Sequence, residues 1–254
     1  MTFGYTAFEL AFIVFTMFMA GFVKGVIAFA FPLVVVSLLP NVIDPARAVA
    51  LGLAPAFATS IIQVRAGYIL PVLKRFRLFI GVMIVSVFIG AAVGASVSRP
   101  VLLVLLGAMC VSAALLFIFK PEIRIAPGYE KLAAAPFGVV GGFFAGLTSV
   151  FGPPVVMYAV ALQLRPEEFV ATVSAIFAVI WLVLIAAFGS LGNFQGDDFW
   201  LSLLVCAPAL AGLKLGDALR QRINQTLFRK LVLAALGLSG LRLILTNLPA
   251  VVSS

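Results

Sequence analysis

The chain has 254 residues, 64% of them hydrophobic and only 10% charged, so polar side chains are too few to coat a water-soluble particle of this size. Its net charge of +8 is spread over basic residues in short connections between apolar runs, which argues against the clustered basic face of a nucleic-acid-binding protein. Histidine is absent, and Cys110 and Cys206 lie singly inside apolar runs, so no metal centre, disulfide or cofactor is expected.

A first apolar run covers residues 5–39. As one straight helix at roughly 1.5 Å per residue it would reach about 50 Å, beyond a hydrocarbon layer of roughly 30 Å. Gly21, Gly25 and Pro32 interrupt its second half, and two half-helices are predicted instead. Runs of ordinary spanning length follow at 45–64, 78–97 and 100–119. The pattern then restarts with a second overlong run, 132–164, interrupted by Gly138, Gly141, Gly142, Gly146, Gly152, Pro153 and Pro154. Spans at 166–189, 199–219 and 227–248 complete the chain, and Pro45, Pro100 and Pro166 sit in first turns, where a helix tolerates proline. The fold class predicted is an all-α polytopic membrane protein.

The restart is a repeat. Gly21-Phe22-Val23-Lys24-Gly25 and Gly142-Phe143-Phe144-Ala145-Gly146 share G-F-x-x-G at an offset of 121 positions, which also superposes Pro32 on Pro153 and Pro45 on Pro166. Gly90 and Gly94 match Gly212 and Gly216 with the offset grown by one, a spacing suited to close helix packing. Two homologous halves are expected, 1–121 and 122–254, each a broken hairpin followed by three spans.

Basic residues orient the halves. If both overlong runs enter and leave on one side, that face collects Arg65, Lys74, Arg75, Arg77, Lys120, Arg124, Lys131, Arg165, Arg220, Arg222, Arg229 and Lys230, leaving Arg47, Arg99 and Arg242 opposite. Single crossings would divide the same residues almost evenly. The bias favours re-entrant hairpins, halves inserted in opposite directions, and both termini on the non-cytoplasmic side. Inverted halves with broken helices near the midplane are how secondary transporters build substrate sites.

The hairpins resemble those of the sulfite exporter TauE/SafE family of anion transporters, whose halves each open with a glycine-rich G-F-x-x-G-x-x-G-x-G-G stretch. The second copy, from Gly142 through Gly152-Pro153-Pro154, is the closer match; in the first, Ala28-Phe29-Ala30-Phe31 stands where the family has glycines. Ser149 and Phe151 likewise replace glycines of the second copy. The resemblance implies export or uptake of sulfite, sulfoacetate or other small sulfur-containing or related organic anions, in a bacterial-type inner membrane.

Lys24 lies amid the apolar stretch 19–36, where an ammonium needs a partner or water. It is read as a fixed positive charge for an anion; a snorkelling lysine, or one paired with Glu9, is the other reading. Thr148 and Ser149 stand where the second hairpin turns, with Gly25, Gly146 and Gly152 leaving the backbone free to approach a ligand. Thr59, Ser60, Gln63 and Arg65 at the end of the second span are further candidates, with Thr172 and Ser174 on an opposite wall. The breakers expected are Gly21, Pro32, Gly142, Pro153 and Pro154. Acidic residues all fall in loops or at span ends, Asp197 and Asp198 among them and Asp217 beside Lys214, which disfavours a proton relay. A carrier for a small anion is therefore expected, in lipid and with a homodimer as the default; a channel would use the same electropositive constriction. A membrane-embedded accessory subunit or enzyme is the weaker alternative, the enzyme because histidine, paired carboxylates and a nucleophile elbow are missing.

Overall fold

The computed structural model describes residues 4–64, 68–119, 124–126, 128–190, 197–220, 222 and 224–252. Among the described residues all regular structure is helical. The first helix, α1 (Ala7–Ile27), begins in a capping box: the Thr6 hydroxyl accepts from the Glu9 amide while the Glu9 carboxylate accepts from the Thr6 amide. It ends where Ala28 turns left-handed, and α2 (Phe31–Leu38) starts after a three-residue break with Pro32 in its first turn. A 3-10 turn (Leu39–Asn41) leads to α3 (Pro45–Gln63), which the Asp44 side chain caps at its N-terminus. The first half closes with α4 (Ile69–Arg75), α5 (Arg77–Ser96) and α6 (Arg99–Phe119).

The second half follows the same order: α7 (Glu130–Thr148), a break at Ser149, α8 (Gly152–Ala161), α9 (Pro166–Ser190), α10 (Asp198–Leu204), α11 (Cys206–Leu219) and α12 (Gln225–Val252). Among the described residues six helical stretches are long and apolar enough to cross a membrane: Ala7–Ile27, Pro45–Gln63, Arg77–Gly94, Glu130–Thr148, Glu167–Ser190 and Asp198–Leu219.

Both overlong runs fold into helical hairpins. The 3-10 turn beyond α2 touches α1 again, so α2 doubles back instead of continuing it. On the other side Pro154 lies against Gly141, the Tyr158 hydroxyl donates to the Glu130 carbonyl at 3.1 Å, and α8 runs back along α7. The limbs are unequal, which corrects the expectation of two half-helices: α1 and α7 alone have spanning length, and only the returning limbs are short.

The position of the breaks needs a second correction. Gly21 and Gly142 lie inside α1 and α7, and neither interrupts its helix. They are packing glycines. A methyl group on Gly21 or Gly25 would overlap the carbonyl oxygen of Ala209 or Leu213 on α11, and one on Gly212 or Gly216 would meet that of Phe18 or Phe22 on α1. The same reciprocal seam joins α7 to α5: Gly142 and Gly146 abut the Met83 and Val87 carbonyls, and Gly90 abuts that of Phe143. The backbones approach this closely because no Cβ stands between them.

Across the molecule α1 packs with α11 and α5 with α7, while α3 packs with α9 and α6 with α12. Exchanging the halves maps this set of contacts onto itself, and α4 against α9 mirrors α10 against α3. In the last pair Gly107 meets Gly240 and Ile244 whereas Gly237 meets Ala114, so α6 and α12 run antiparallel. Two elements escaped the sequence reading. The short helix α4 was unforeseen, and the span expected at 199–219 divides at Val205, because Pro208 in the first turn of α11 has no N–H for the carbonyl of Leu204.

Candidate functional site

The two breaks meet inside the molecule. The Phe29 carbonyl of the first lies 3.7 Å from where a Cβ on Gly152, the first residue of α8, would stand. They open and close alike: Ala28 and Ser149 have φ of 73° and 59°, and Pro32 and Pro153 each occupy a first turn.

Lys24, one turn before the first break, is fully buried. Its Nζ donates to Ser60 Oγ at 2.6 Å, Thr59 Oγ1 at 3.1 Å and the Ala56 carbonyl at 3.5 Å. Both hydroxyls point their own protons at carbonyls of α3, Ser60 to Ala56 at 2.7 Å and Thr59 to Pro55 at 2.7 Å, which leaves their lone pairs to the lysine. Gln63 extends the network, donating to the Lys24 carbonyl at 3.3 Å and accepting from Ser174 Oγ of α9 at 3.2 Å. The structure thus brings together Lys24, Thr59, Ser60, Gln63 and Ser174, while Thr172 is buried on α9 outside this network. Among the described residues no carboxylate reaches the ammonium: Glu9 is engaged with Thr6, and the two ion pairs lie elsewhere. Three neutral acceptors satisfy the three protons but leave the charge uncompensated. Arg65 lies outside the described residues.

The second break is organised differently. Thr148 gives its hydroxyl proton to the Phe144 carbonyl at 2.9 Å and accepts from the Val150 amide at 3.3 Å, so its own helix end consumes it. Ser149, 3% exposed, has no partner for its hydroxyl. Both residues, with Gly146, lie at one end of a vestibule of about 340 Å³ that runs past Val49, Leu106 and Phe188 to Asp44, Pro45 and Val97 at helix ends. Gly25 and Gly146 act through the helix seams described above, and Gly152 alone of the three sits at a break.

One charged group was misplaced from sequence. Asp198, expected in a loop, begins α10 with its side chain fully buried against Arg47 of α3. Arg47 Nε and a terminal nitrogen reach the two carboxylate oxygens at 2.9 and 2.7 Å, and the Tyr5 hydroxyl adds a bond of 2.9 Å. Burial first, and the Asp198 bond second, raise the Tyr5 phenol above its ordinary range. Lys214 and Asp217, anticipated as a pair, are both exposed and form no ion pair. Trp181 also escaped notice: it is 3% exposed, faces the second break, and leaves its indole N–H unpartnered. Its position 121 residues after Ser60 was the available signal, but an indole replacing a hydroxyl shares no motif with it.

No curated protein and no solved structure is significantly similar to the chain. The sulfite exporter TauE/SafE family model matches residues 13–243, a stretch that takes in both hairpin breaks and all the helices except the first turns of α1 and the last turns of α12. The chain therefore belongs to the sulfite exporter TauE/SafE family and is a multi-pass membrane transport protein.

Proposed function

We propose that the chain is a carrier for small anions, sulfur-containing or related organic ones, which bind between the two hairpin breaks. The observation that carries this reading is Lys24: a buried ammonium with neutral partners only is a poor structural element and a ready attractor for a negative charge. Two further features support it. The short helices α2 and α8 begin at the breaks, so the positive ends of their dipoles lie where an anion would rest. The vestibule supplies an approach to Ser149 from the helix ends at Asp44 and Val97.

The antiparallel run of α6 against α12, together with contacts unchanged on exchanging the halves, favours inverted insertion. With basic residues gathered on the cytoplasmic side, the termini then face outward and so does the vestibule. Halves related by a pseudo-two-fold axis in the membrane plane offer two equivalent ways of closing around one site, which favours a carrier over a channel.

The test is uptake of labelled sulfite and sulfoacetate into proteoliposomes. Saturation and exchange of internal for external label are expected, and Lys24→Ala should lower the rate at least tenfold while inserting normally. Full activity in that variant would take Lys24 out of the mechanism, and conductance that never saturates would replace the carrier by a channel.

A further inference from the structure

Among the described residues nothing balances the charge of Lys24. On its own helix Glu9 is held by Thr6. Of the helices packed on α1, α2 has no titratable residue, and Arg47 of α3 is tied to Asp198 near the opposite end of that helix. On α11 the Cys206 thiol donates to the Ser202 carbonyl, while Lys214 and Asp217 are exposed. The titratable side chains described on α12, Lys230 and Arg242, are exposed as well. Beyond Gln63, Glu167 and Glu168 stand in the first turn of α9, about two turns before Ser174. The Phe31 ring, with its centroid 6.0 Å from Nζ, adds only a weak attraction.

A buried cation in these surroundings has two ways to lower its energy: it loses its proton, or it gains a negative partner. We infer that Lys24 takes up a proton when the anion binds and releases it when the anion leaves, so that each anion crosses with one proton. The inference deepens the carrier reading and rests on it. Coupling of this kind is reciprocal, since an anion that favours the protonated lysine is itself bound more tightly by it. The proton comes from water on the side where the anion enters and returns to water on the other, and only an N–H bond forms and breaks.

The network accepts both forms of the side chain without moving a heavy atom. As an ammonium, Nζ donates to Ser60 Oγ, Thr59 Oγ1 and the Ala56 carbonyl. As an amine it keeps two protons, for Thr59 and Ala56, and gains a lone pair. The Ser60 hydroxyl, 2.6 Å away, then turns its proton from the Ala56 carbonyl to that lone pair. The load is one proton because the site is not duplicated: 121 positions on from Lys24, Thr59 and Gln63 stand Ala145, Ile180 and Leu184. With neither anion nor proton aboard, the returning carrier moves no charge at Lys24.

The test uses proteoliposomes with a pH dye inside and sulfoacetate, fully ionised at neutral pH, outside, so that any proton entering with it is carried by the protein. The wild type should acidify the lumen by one proton per sulfoacetate taken up. With the membrane potential clamped at zero, a tenfold proton gradient should hold about a tenfold gradient of sulfoacetate. Lys24→Arg keeps a cation that does not give up its proton, so whatever uptake remains should leave the lumenal pH unchanged and ignore an imposed gradient. A second measurement does not depend on the activity of that variant. With heavy nitrogen at lysine Nζ, the Lys24 magnetic resonance signal, identified by its loss in Lys24→Arg, should be that of an amine without sulfoacetate and of an ammonium with it. Wild-type uptake at constant lumenal pH, acidification that persists in Lys24→Arg, or an ammonium signal under both conditions overturns the coupling and leaves the carrier reading standing. If the wild type transports no anion at all, the carrier reading fails and the coupling fails with it.

Discussion

Ala28 and Ser149, 121 positions apart, close α1 and α7 in the same left-handed conformation, and each amide donates to the carbonyl four residues back, Lys24 at 2.7 Å and Ala145 at 2.8 Å. A residue with a Cβ pays about 1–2 kcal/mol for that conformation. Glycine would remove most of this strain, less what its freer unfolded chain takes back. Ala28→Gly is therefore expected to raise stability by about 0.5–1 kcal/mol, seen as a higher melting temperature in detergent, with transport intact. Ser149→Gly should stabilise similarly but lose transport, because the hydroxyl goes with the strain. Equal activity in the two variants would contradict the asymmetry drawn between the breaks.

The glycine seams make an opposite prediction for two helical glycines. A Cβ on Gly21 would meet the Ala209 backbone, which has no flexible end to yield, whereas one on Gly81 of α5 finds nothing within 4 Å. Gly21→Ala should force α1 from α11 and cost several kcal/mol, in the manner of an overpacked core. Gly81→Ala should be neutral or stabilising by up to about 1 kcal/mol, the ordinary helix preference. Thermal unfolding of both proteins decides it, and equal melting temperatures would mean that the seam relaxes at no expense.

The overlong runs and most of the spans were legible because proline and glycine interrupt hydrophobic runs whose length the bilayer limits, whereas α4 and the division at Val205 were not. The identity of the breakers was not. Gly21 and Gly142 look like hinges in sequence, yet glycine in a membrane helix serves equally well to admit a neighbouring backbone, and only the partner helix distinguishes the two. The Lys24 network was legible in its members, since an ammonium, two hydroxyls and an amide stand out among apolar residues. Trp181 was not, because an aromatic residue in an apolar run gives no sign that its N–H lacks a partner.

Proline inside α3 leads to a further test. Pro55 has no N–H, so the carbonyl of Leu51 has no helical partner there; the Ser202 hydroxyl of α10 supplies the missing donor at 3.0 Å. Ser202→Ala should strand that buried carbonyl and cost about 1–3 kcal/mol. In a Pro55→Ala background the new amide at position 55 restores the helical bond, and the same serine substitution should then cost much less. A double-mutant cycle on thermal stability reads the difference; no coupling between the positions would refute the compensation.

Arg47 and Asp198 call for a cycle of the same kind with a larger amplitude. The Asp198 side chain is fully buried and Arg47 is its cation, held in a forked contact and stacked with its Cζ 4.1 Å from the Tyr5 ring centroid. Arg47→Met leaves a carboxylate buried without its counter-charge and should cost about 3–5 kcal/mol. Adding Asp198→Asn removes that charge while keeping an oxygen for the Tyr5 hydroxyl, so the double variant should recover more than half of the loss. Because the pair ties α3 to α10, and through Tyr5 to the start of α1, the single variant should also expose this end of the bundle to protease while the double variant resists. Additive destabilisation in the double variant would mean that the pair contributes contacts only, with no electrostatic compensation between its members.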